Sequence, residues 1–180
     1  MVKVGIVVGS IREGSLSGRV AKAVEPLLAE KYETEYLEIA NLPLFNPDLD
    51  QDTPEEYINF RNAVAGVDAV VFVTPEHNRA MPAALKNALD VVSIPNNEWS
   101  GKPALILSQS PGLISGFGAN HNLRQVLSFL NMPTVQQPEV YLAETHELID
   151  ENGEFLKEGT KEFLQSAVDA FSQLISYRNE

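Results

Sequence analysis

The segment at residues 9–17 combines residue types that can hold an anion. It contains two glycines, three serines and one arginine, and it lies between an apolar run and a helical pattern. Backbone N–H groups at a helix start, the positive end of the helix dipole and hydroxyl donors together favour bound anions. The side chain of Arg12 can add a charge-assisted hydrogen bond to a phosphate. The segment is therefore a candidate phosphate site.

Two known phosphate-binding patterns can be compared with this segment. The spacing of Gly9 and Gly14 matches the glycines of a nucleoside-triphosphate loop, but Ser15 stands where that loop requires lysine. The dinucleotide pattern G-x-G-x-x-G does not occur either. Two interpretations stay open: a site for a different phosphate, or an ordinary helix N-cap with turn glycines.

A second candidate segment begins where another apolar run ends, at Thr74. Pro75 stiffens the turn, and the next residues present backbone N–H groups and the flat imidazole of His77. This ring can form one wall of a site, and it can also exchange a proton near neutral pH. The other two histidines, His121 and His146, are far away in sequence, which disfavours a metal site.

A third candidate segment, residues 108–118, is rich in glycine and serine and follows a fourth apolar run. Small residues let the backbone approach the edge of a flat ligand, and we expect Ser110 and Gly112 to make such contacts. The alternative interpretation is an ordinary strand-to-helix turn.

Apolar runs alternate with helical patterns along the chain, which predicts a doubly wound α/β domain: a parallel sheet with helices on both faces. The expected strands are 2–8, 36–39, 69–73, 104–107 and a short one beginning at 134–135, and the expected helices are 18–31, 53–66, 81–92, 119–130 and one around 163–175. Ligands of such sheets bind beyond the carboxyl ends of the strands. Function is therefore expected in the loops at 9–17, 41–53, 74–80 and 108–118.

Composition narrows the class of protein. The length of 180 residues predicts one domain over residues 1–180, and the absence of cysteine excludes disulfides, thiolate metal sites and a catalytic thiol. The net charge of −12 disfavours binding to nucleic acid or anionic lipid. We find no membrane span or signal-peptide pattern, so we expect a cytoplasmic protein without nucleic-acid or membrane partners.

All three segments together resemble the NADPH-dependent FMN reductase family, which includes quinone, chromate and azo-dye reductases. The resemblance rests on Gly-Ser-x-Arg-x-x-Ser after the first strand, on residues 74–90, which read Thr-Pro-Glu-His-Asn through Leu-Lys-Asn to Asp, and on residues 108–119. It implies a flavodoxin-like fold, with a five-stranded parallel sheet in the order 2-1-3-4-5.

The resemblance also implies FMN as cofactor and assigns its contacts. The hydroxyls and the guanidinium of the first segment bind the phosphate, the second segment lines the isoalloxazine ring, and the third reaches the far edge of the ring. The implied cofactor-binding residues are Ser10, Arg12, Ser15, Ser17, Pro75, Glu76, His77, Asn78, Ser110 and Gly112.

The sequence departs from the family pattern at three places. Ser17 stands where asparagine is frequent, His77 replaces a common tyrosine, and residues 115–119 lack an arginine that often occurs there. The missing arginine leaves the choice between NADH and NADPH open. For His77 we favour a stacking wall over a proton donor, because in flavin enzymes the cofactor carries the chemistry. Neighbouring Lys86, Asn87 and Asp90 are expected on a solvated face or a subunit contact.

The family implies a ping-pong oxidoreductase. NAD(P)H gives a hydride to bound FMN, and two electrons then pass to a small acceptor such as a quinone, an azo compound, a flavin or a metal oxyanion. A homodimer or homotetramer is implied as well. The alternative is a non-enzymatic flavodoxin-like electron carrier or flavin-binding protein. A receiver domain is excluded by Gly9 and Thr74, where it needs acids, and a hydrolase by the lack of a G-x-S-x-G elbow.

Overall fold

The computed structural model describes residues 1–178, which form five strands, five α-helices and two short 3-10 helices. In chain order the elements are β1 (Lys3–Val8), α1 (Leu16–Ala29), β2 (Glu33–Tyr36), a 3-10 helix (Pro47–Gln51), α2 (Glu55–Ala65), β3 (Ala69–Pro75), α3 (Ala83–Ser93), β4 (Ala104–Gln109), α4 (Phe117–Phe129), β5 (Val140–Leu142), a 3-10 helix (Thr145–Glu147) and α5 (Glu158–Arg178).

The strands form one parallel sheet in the order β2-β1-β3-β4-β5. This order confirms the predicted doubly wound, flavodoxin-like architecture. The register aligns the carboxyl ends of three strands, because Val8 pairs with Val73 and Val73 pairs with Leu107. The loops after β1, β3 and β4 therefore leave the sheet side by side, at the edge where parallel sheets bind ligands.

Helices cover both faces of the sheet. Along β3, Ala69, Val71 and Val73 pack into a core with α1 and α5, whereas Val70 and Phe72 pack into a second core with α2, α3 and α4. A strand that is buried on both faces is apolar at every position, so its sequence pattern is easy to recognise. This is why β3 was predicted close to its observed position.

The second strand differs from its prediction. It spans Glu33–Tyr36, not 36–39, and it lies at the edge of the sheet. Edge strands are half exposed and tolerate polar residues. A search for apolar runs therefore does not detect this strand. Leu37 and Ile39, on which the prediction rested, are buried in the core beyond the end of the strand.

The fifth strand also lies elsewhere. It spans Val140–Leu142, whereas the predicted position at 134–135 provides only a single parallel bridge between Thr134 and Ala104. Pro138 has no N–H group to donate, so regular pairing begins after it. The strand pairs with Leu107, Ser108 and Gln109 at the carboxyl end of β4, close to the loop that follows β4.

The predicted helix ends need small corrections. Helices α1 and α4 begin two residues earlier than predicted, at Leu16 and Phe117, and α3 begins two residues later, at Ala83. For α2 the predicted N-cap was Thr53, but the cap position is Pro54, without a side-chain cap hydrogen bond. Throughout residues 1–178, no helix has both the length and the apolar character needed to cross a membrane.

Candidate functional site

A cleft of about 500 Å³ opens at the carboxyl edge of the sheet, between the loops that follow β1, β3 and β4. Seven of the ten predicted site residues line it: Ser10, Arg12, Ser15, Pro75, Glu76, His77 and Ser110. Ser17, Asn78 and Gly112 are not among the lining residues. The loop at 41–53, where function was also expected, contributes nothing to the lining.

The loop after β1, which we call the first loop, is shaped by its own hydroxyl groups. The loops after β3 and β4 are the second and third loops. The Ser15 hydroxyl accepts a hydrogen bond from the Gly18 N–H at 3.1 Å and caps α1. The Ser10 hydroxyl accepts from the Arg12 N–H at 3.4 Å. The Arg12 side chain is exposed and forms no ion pair with any residue in 1–178. Its guanidinium is therefore available to an anion at the start of α1.

A glutamine in the cleft was missed by sequence reasoning. Gln109 ends β4, is only 3% exposed and lines the cleft. Its Nε2 donates to the Ser17 hydroxyl at 2.9 Å, while its Oε1 is buried without a hydrogen-bond partner. Buried polar atoms are nearly always paired, so the free Oε1 marks a place for a ligand donor. A polar residue at the end of an apolar strand was the available signal.

Ser17 is not a lining residue, because its hydroxyl is occupied by the hydrogen bond with Gln109. Its side chain is fully buried and faces Gln109, so it ties the start of α1 to the end of β4. Ser17 thus supports the site from behind. Asn78 also lies outside the lining, because it occupies the tip of the second loop.

The second loop contains a two-residue hairpin turn. The backbones of His77 and Ala80 exchange hydrogen bonds of 2.9 and 3.0 Å, and Asn78 and Arg79 between them have φ values of 51° and 70°. Positive φ at both central residues is the type I′ geometry. Asparagine tolerates this conformation, but arginine does not do so readily. The turn holds the His77 ring at the cleft.

We predict that replacing Arg79 with glycine stabilises the protein. Glycine adopts positive φ without steric cost, so the free energy of unfolding should rise by about 0.5–1 kcal/mol. The ion pair that is lost, Arg79 Nη1 to Glu76 Oε1 at 3.3 Å, has a mostly exposed arginine and contributes little. Thermal unfolding of R79G beside R79A measures the effect, and an equal change in both variants would contradict it.

Glu76 connects the second loop to the third. Its Oε2 accepts hydrogen bonds from the N–H groups of Gly118 at 2.7 Å and Ala119 at 3.2 Å, in the first turn of α4. The N-cap position of that helix, Gly116, has no side chain to do so. A carboxylate at a helix N-terminus is favoured by the helix dipole. Glu76 therefore fixes the relative position of two walls of the cleft.

This contact explains the glycine at position 118, where no arginine or other side chain fits. A Cβ atom there would lie 2.8 Å from the Arg79 carbonyl oxygen and 2.9 Å from Glu76 Oε2. The third loop is held in a similar way, since the Ser110 hydroxyl accepts from the Gly112 N–H at 3.0 Å. Gly112 shapes this loop and lies outside the cleft lining.

Helix α3 carries the three polar residues expected on a solvated face or a subunit contact, of which Lys86 is exposed and the other two are half-buried. Lys86 and Asp90 form an i,i+4 ion pair at 2.7 Å. Asn87 anchors the loop at 41–53, because it accepts from the Phe45 N–H at 2.7 Å and donates to the Pro43 carbonyl at 2.9 Å. Within residues 1–178, no cluster of three potential ligand side chains could hold a metal ion.

Comparison with known proteins adds to this geometry. The family model of the NADPH-dependent FMN reductases matches residues 2–147. A quinone reductase of Pseudomonas putida is 46% identical over 175 residues, covering 96% of this chain and 94% of that protein. A 2-hydroxy-1,4-benzoquinone reductase of a Burkholderia species is 36% identical over 179 residues, covering 98% of both chains.

A solved structure shows the same architecture. FerB, the flavoenzyme NAD(P)H:(acceptor) oxidoreductase of Paracoccus denitrificans, superposes with a TM-score of 0.93. It is 34% identical, and the match covers 99% of each chain. The similarity therefore extends through the whole sheet and all the loops at its carboxyl edge.

Proposed function

This chain belongs to the NADPH-dependent FMN reductase family and is thus an oxidoreductase, and from that premise we propose what it binds and reduces. FMN occupies the cleft between the loops after β1, β3 and β4. Two electrons pass from NAD(P)H through FMN to a small acceptor. A quinone is the first acceptor to test, since the similar proteins of Pseudomonas putida and Burkholderia are named quinone reductases.

The observation that carries this proposal is that one cleft is lined by two side chains with unsatisfied binding groups, a cation without an ion pair and a buried oxygen without a hydrogen bond. Arg12 offers a cation at the start of α1, and Gln109 offers a buried carbonyl oxygen without a donor. FMN offers a partner to each group, a phosphate for the cation and a ring N–H donor for the carbonyl oxygen. The residues present therefore fit the cofactor.

We assign the residues as follows. Arg12 and the hydroxyls of Ser10 and Ser15 hold the phosphate, and Ser17 contributes indirectly through Gln109. Pro75 and His77 form a wall beside the ring.

The remaining predicted residues support the ring from the loops. Glu76 and Asn78 keep the second loop in place, Ser110 contacts the ring edge, and Gly112 keeps the third loop in shape. Backbone N–H groups of these loops orient the ring carbonyls by hydrogen bonding.

When bound, FMN supplies hydride acceptance from NAD(P)H and two-electron transfer to the acceptor, in a ping-pong cycle. The chain itself binds and orients. The cleft serves the cofactor and both substrates, which favours alternation of reductant and acceptor in one position. We assign His77 the role of a wall beside the ring, and two hydrogen bonds with Ala80 fix its backbone at the rim.

We also propose that the chain forms a single domain, since within residues 1–178 all five strands share one sheet and α5 packs on it. A homodimer or homotetramer is supported by exposed apolar side chains on α4, where Phe117 and Phe129 are 52% and 88% exposed. Buried apolar area is what drives most subunit association. The cytoplasm, as the compartment that supplies NAD(P)H, is the proposed location.

The first experiment is a visible absorption spectrum. Protein that has been mixed with FMN and desalted is expected to retain the yellow flavin. NADPH added without oxygen should bleach the flavin quickly, and benzoquinone should restore it. Flavin that binds but stays oxidised would favour the electron carrier instead. Protein that leaves the column colourless would rule out FMN binding in this cleft.

A further inference from the structure

A second cleft, of about 350 Å³, lies beside the first. It is bounded by α1 on one side and by residues 36–40, at the end of β2, on the other. The two clefts share Ser10, Ile11, Arg12 and Ser15, so the first loop forms the wall between them. A ligand longer than FMN can therefore cross this loop and occupy both clefts.

The second cleft brings three cationic side chains together with three carboxylates, in a protein whose net charge is −12. Arg12, Arg19 and Lys22 line it. In the part of the chain that the structure describes, none of the three forms an ion pair. The Nε atom of Arg19 is buried and has no hydrogen-bond partner. A buried donor on a cation is costly without an acceptor, so this group calls for an anionic ligand.

Acidic and apolar groups complete the lining. Glu13, Glu38 and Glu151 border the cleft, and one oxygen of Glu38 accepts the Ala40 N–H at 2.8 Å. The apolar side chains of Ile11 and Ile39 lie beside them. Phosphate acceptors suit the cations, ribose hydroxyls can donate to a carboxylate, and a purine ring can lie against apolar side chains.

We propose that the second cleft binds the phosphorylated ribose of NADPH. Arg19 and Lys22 hold its 2′-phosphate, and Glu38 accepts from a ribose hydroxyl. The nicotinamide of the same molecule lies across the first loop, in the FMN cleft. The proposal rests on the proposed function and gives it a direction: the chain prefers NADPH to NADH, through residues of α1.

The test compares Arg19→Gln and Lys22→Gln with the wild type, using NADPH and NADH in turn and benzoquinone as acceptor. Loss of one charge-assisted contact should raise KM for NADPH by about tenfold or more. KM for NADH and the Kd for FMN should stay unchanged. Lys31→Gln is the matched control: it removes the same charge beyond the far end of α1, where Lys31 pairs with Asp169.

A binding measurement keeps the test independent of catalysis. Calorimetric titration with 2′,5′-ADP is expected to show binding to the wild type and to K31Q, and at least tenfold weaker binding to R19Q and K22Q. 5′-AMP, which lacks the 2′-phosphate, should not distinguish the four proteins. Because Lys22 is exposed, K22Q should fold even if R19Q does not.

Three results would overturn the assignment: equal changes in KM for the two nucleotides, weaker FMN binding in R19Q and K22Q, or no 2′,5′-ADP binding to the wild type. The second result would mean that these cations serve the FMN phosphate. If the proposed function fails, neither nucleotide bleaches the flavin, and the 2′,5′-ADP titration still decides whether the second cleft takes a ribose phosphate.

Discussion

Glu76→Ala is expected to lower the free energy of unfolding by about 2–3 kcal/mol and the melting temperature by roughly 4–12 °C. The carboxylate is largely buried, and it accepts from both Gly118 and Ala119 in the first turn of α4. Alanine leaves these N–H groups without an acceptor. FMN affinity should fall in the same variant, because the second and third loops lose their connection. Thermal denaturation and flavin fluorescence titration measure the two effects.

Glu76→Gln serves as the matched control. Its amide oxygen can still accept one of the helix N–H groups, but the charge that interacts with the helix dipole is lost. The destabilisation should be about half as large as for E76A. If E76A melts like the wild type, Glu76 does not hold α4 in place. If E76A is destabilised but binds FMN normally, the link between the loops is irrelevant to the cleft.

Arg12→Ala is expected to weaken FMN binding by about 10- to 100-fold, the range for one charge-assisted hydrogen bond to phosphate. Riboflavin has the same ring without the phosphate, so its affinity should not change. The melting temperature should not change either, because the Arg12 side chain is exposed and has no ion-pair partner in residues 1–178. Fluorescence quenching of each flavin gives the Kd values.

Arg12→Lys keeps the charge but loses the forked donor geometry, and it should recover part of the affinity. Equal losses for FMN and riboflavin would show that Arg12 supports the ring or the fold of the loop. Unchanged FMN affinity in R12A would remove the phosphate assignment altogether.

The central part of the fold could be predicted from the sequence because burial leaves a clear pattern there. Strands β1, β3 and β4 are apolar runs, and the helices between them have regular apolar spacing. The edge strands were misplaced for a physical reason. The polar residues of Glu33–Tyr36 are exposed or half-buried, so this strand has no apolar run, and in Val140–Leu142 only three residues pair.

The site was predictable to the level of loops and less so for individual side chains. Ser10, Arg12 and His77 line one cleft, because the loops at one edge of a parallel sheet lie side by side. The burial of Ser17 against Gln109 could not be foreseen, because it depends on contacts between residues 92 positions apart. No local pattern records such a distance.

The contacts that build the cleft also determine when it appears during folding. The bond from Ser17 to Gln109 closes 92 residues of chain, and the bond from Glu76 to Gly118 closes 42. Closing a long loop costs chain entropy before the contacts at its ends compensate for it, so such pairs form late in folding. The cleft thus exists only in the completed fold, and a cofactor that binds it stabilises the folded state by mass action. FMN binding therefore also reports that the chain has folded correctly.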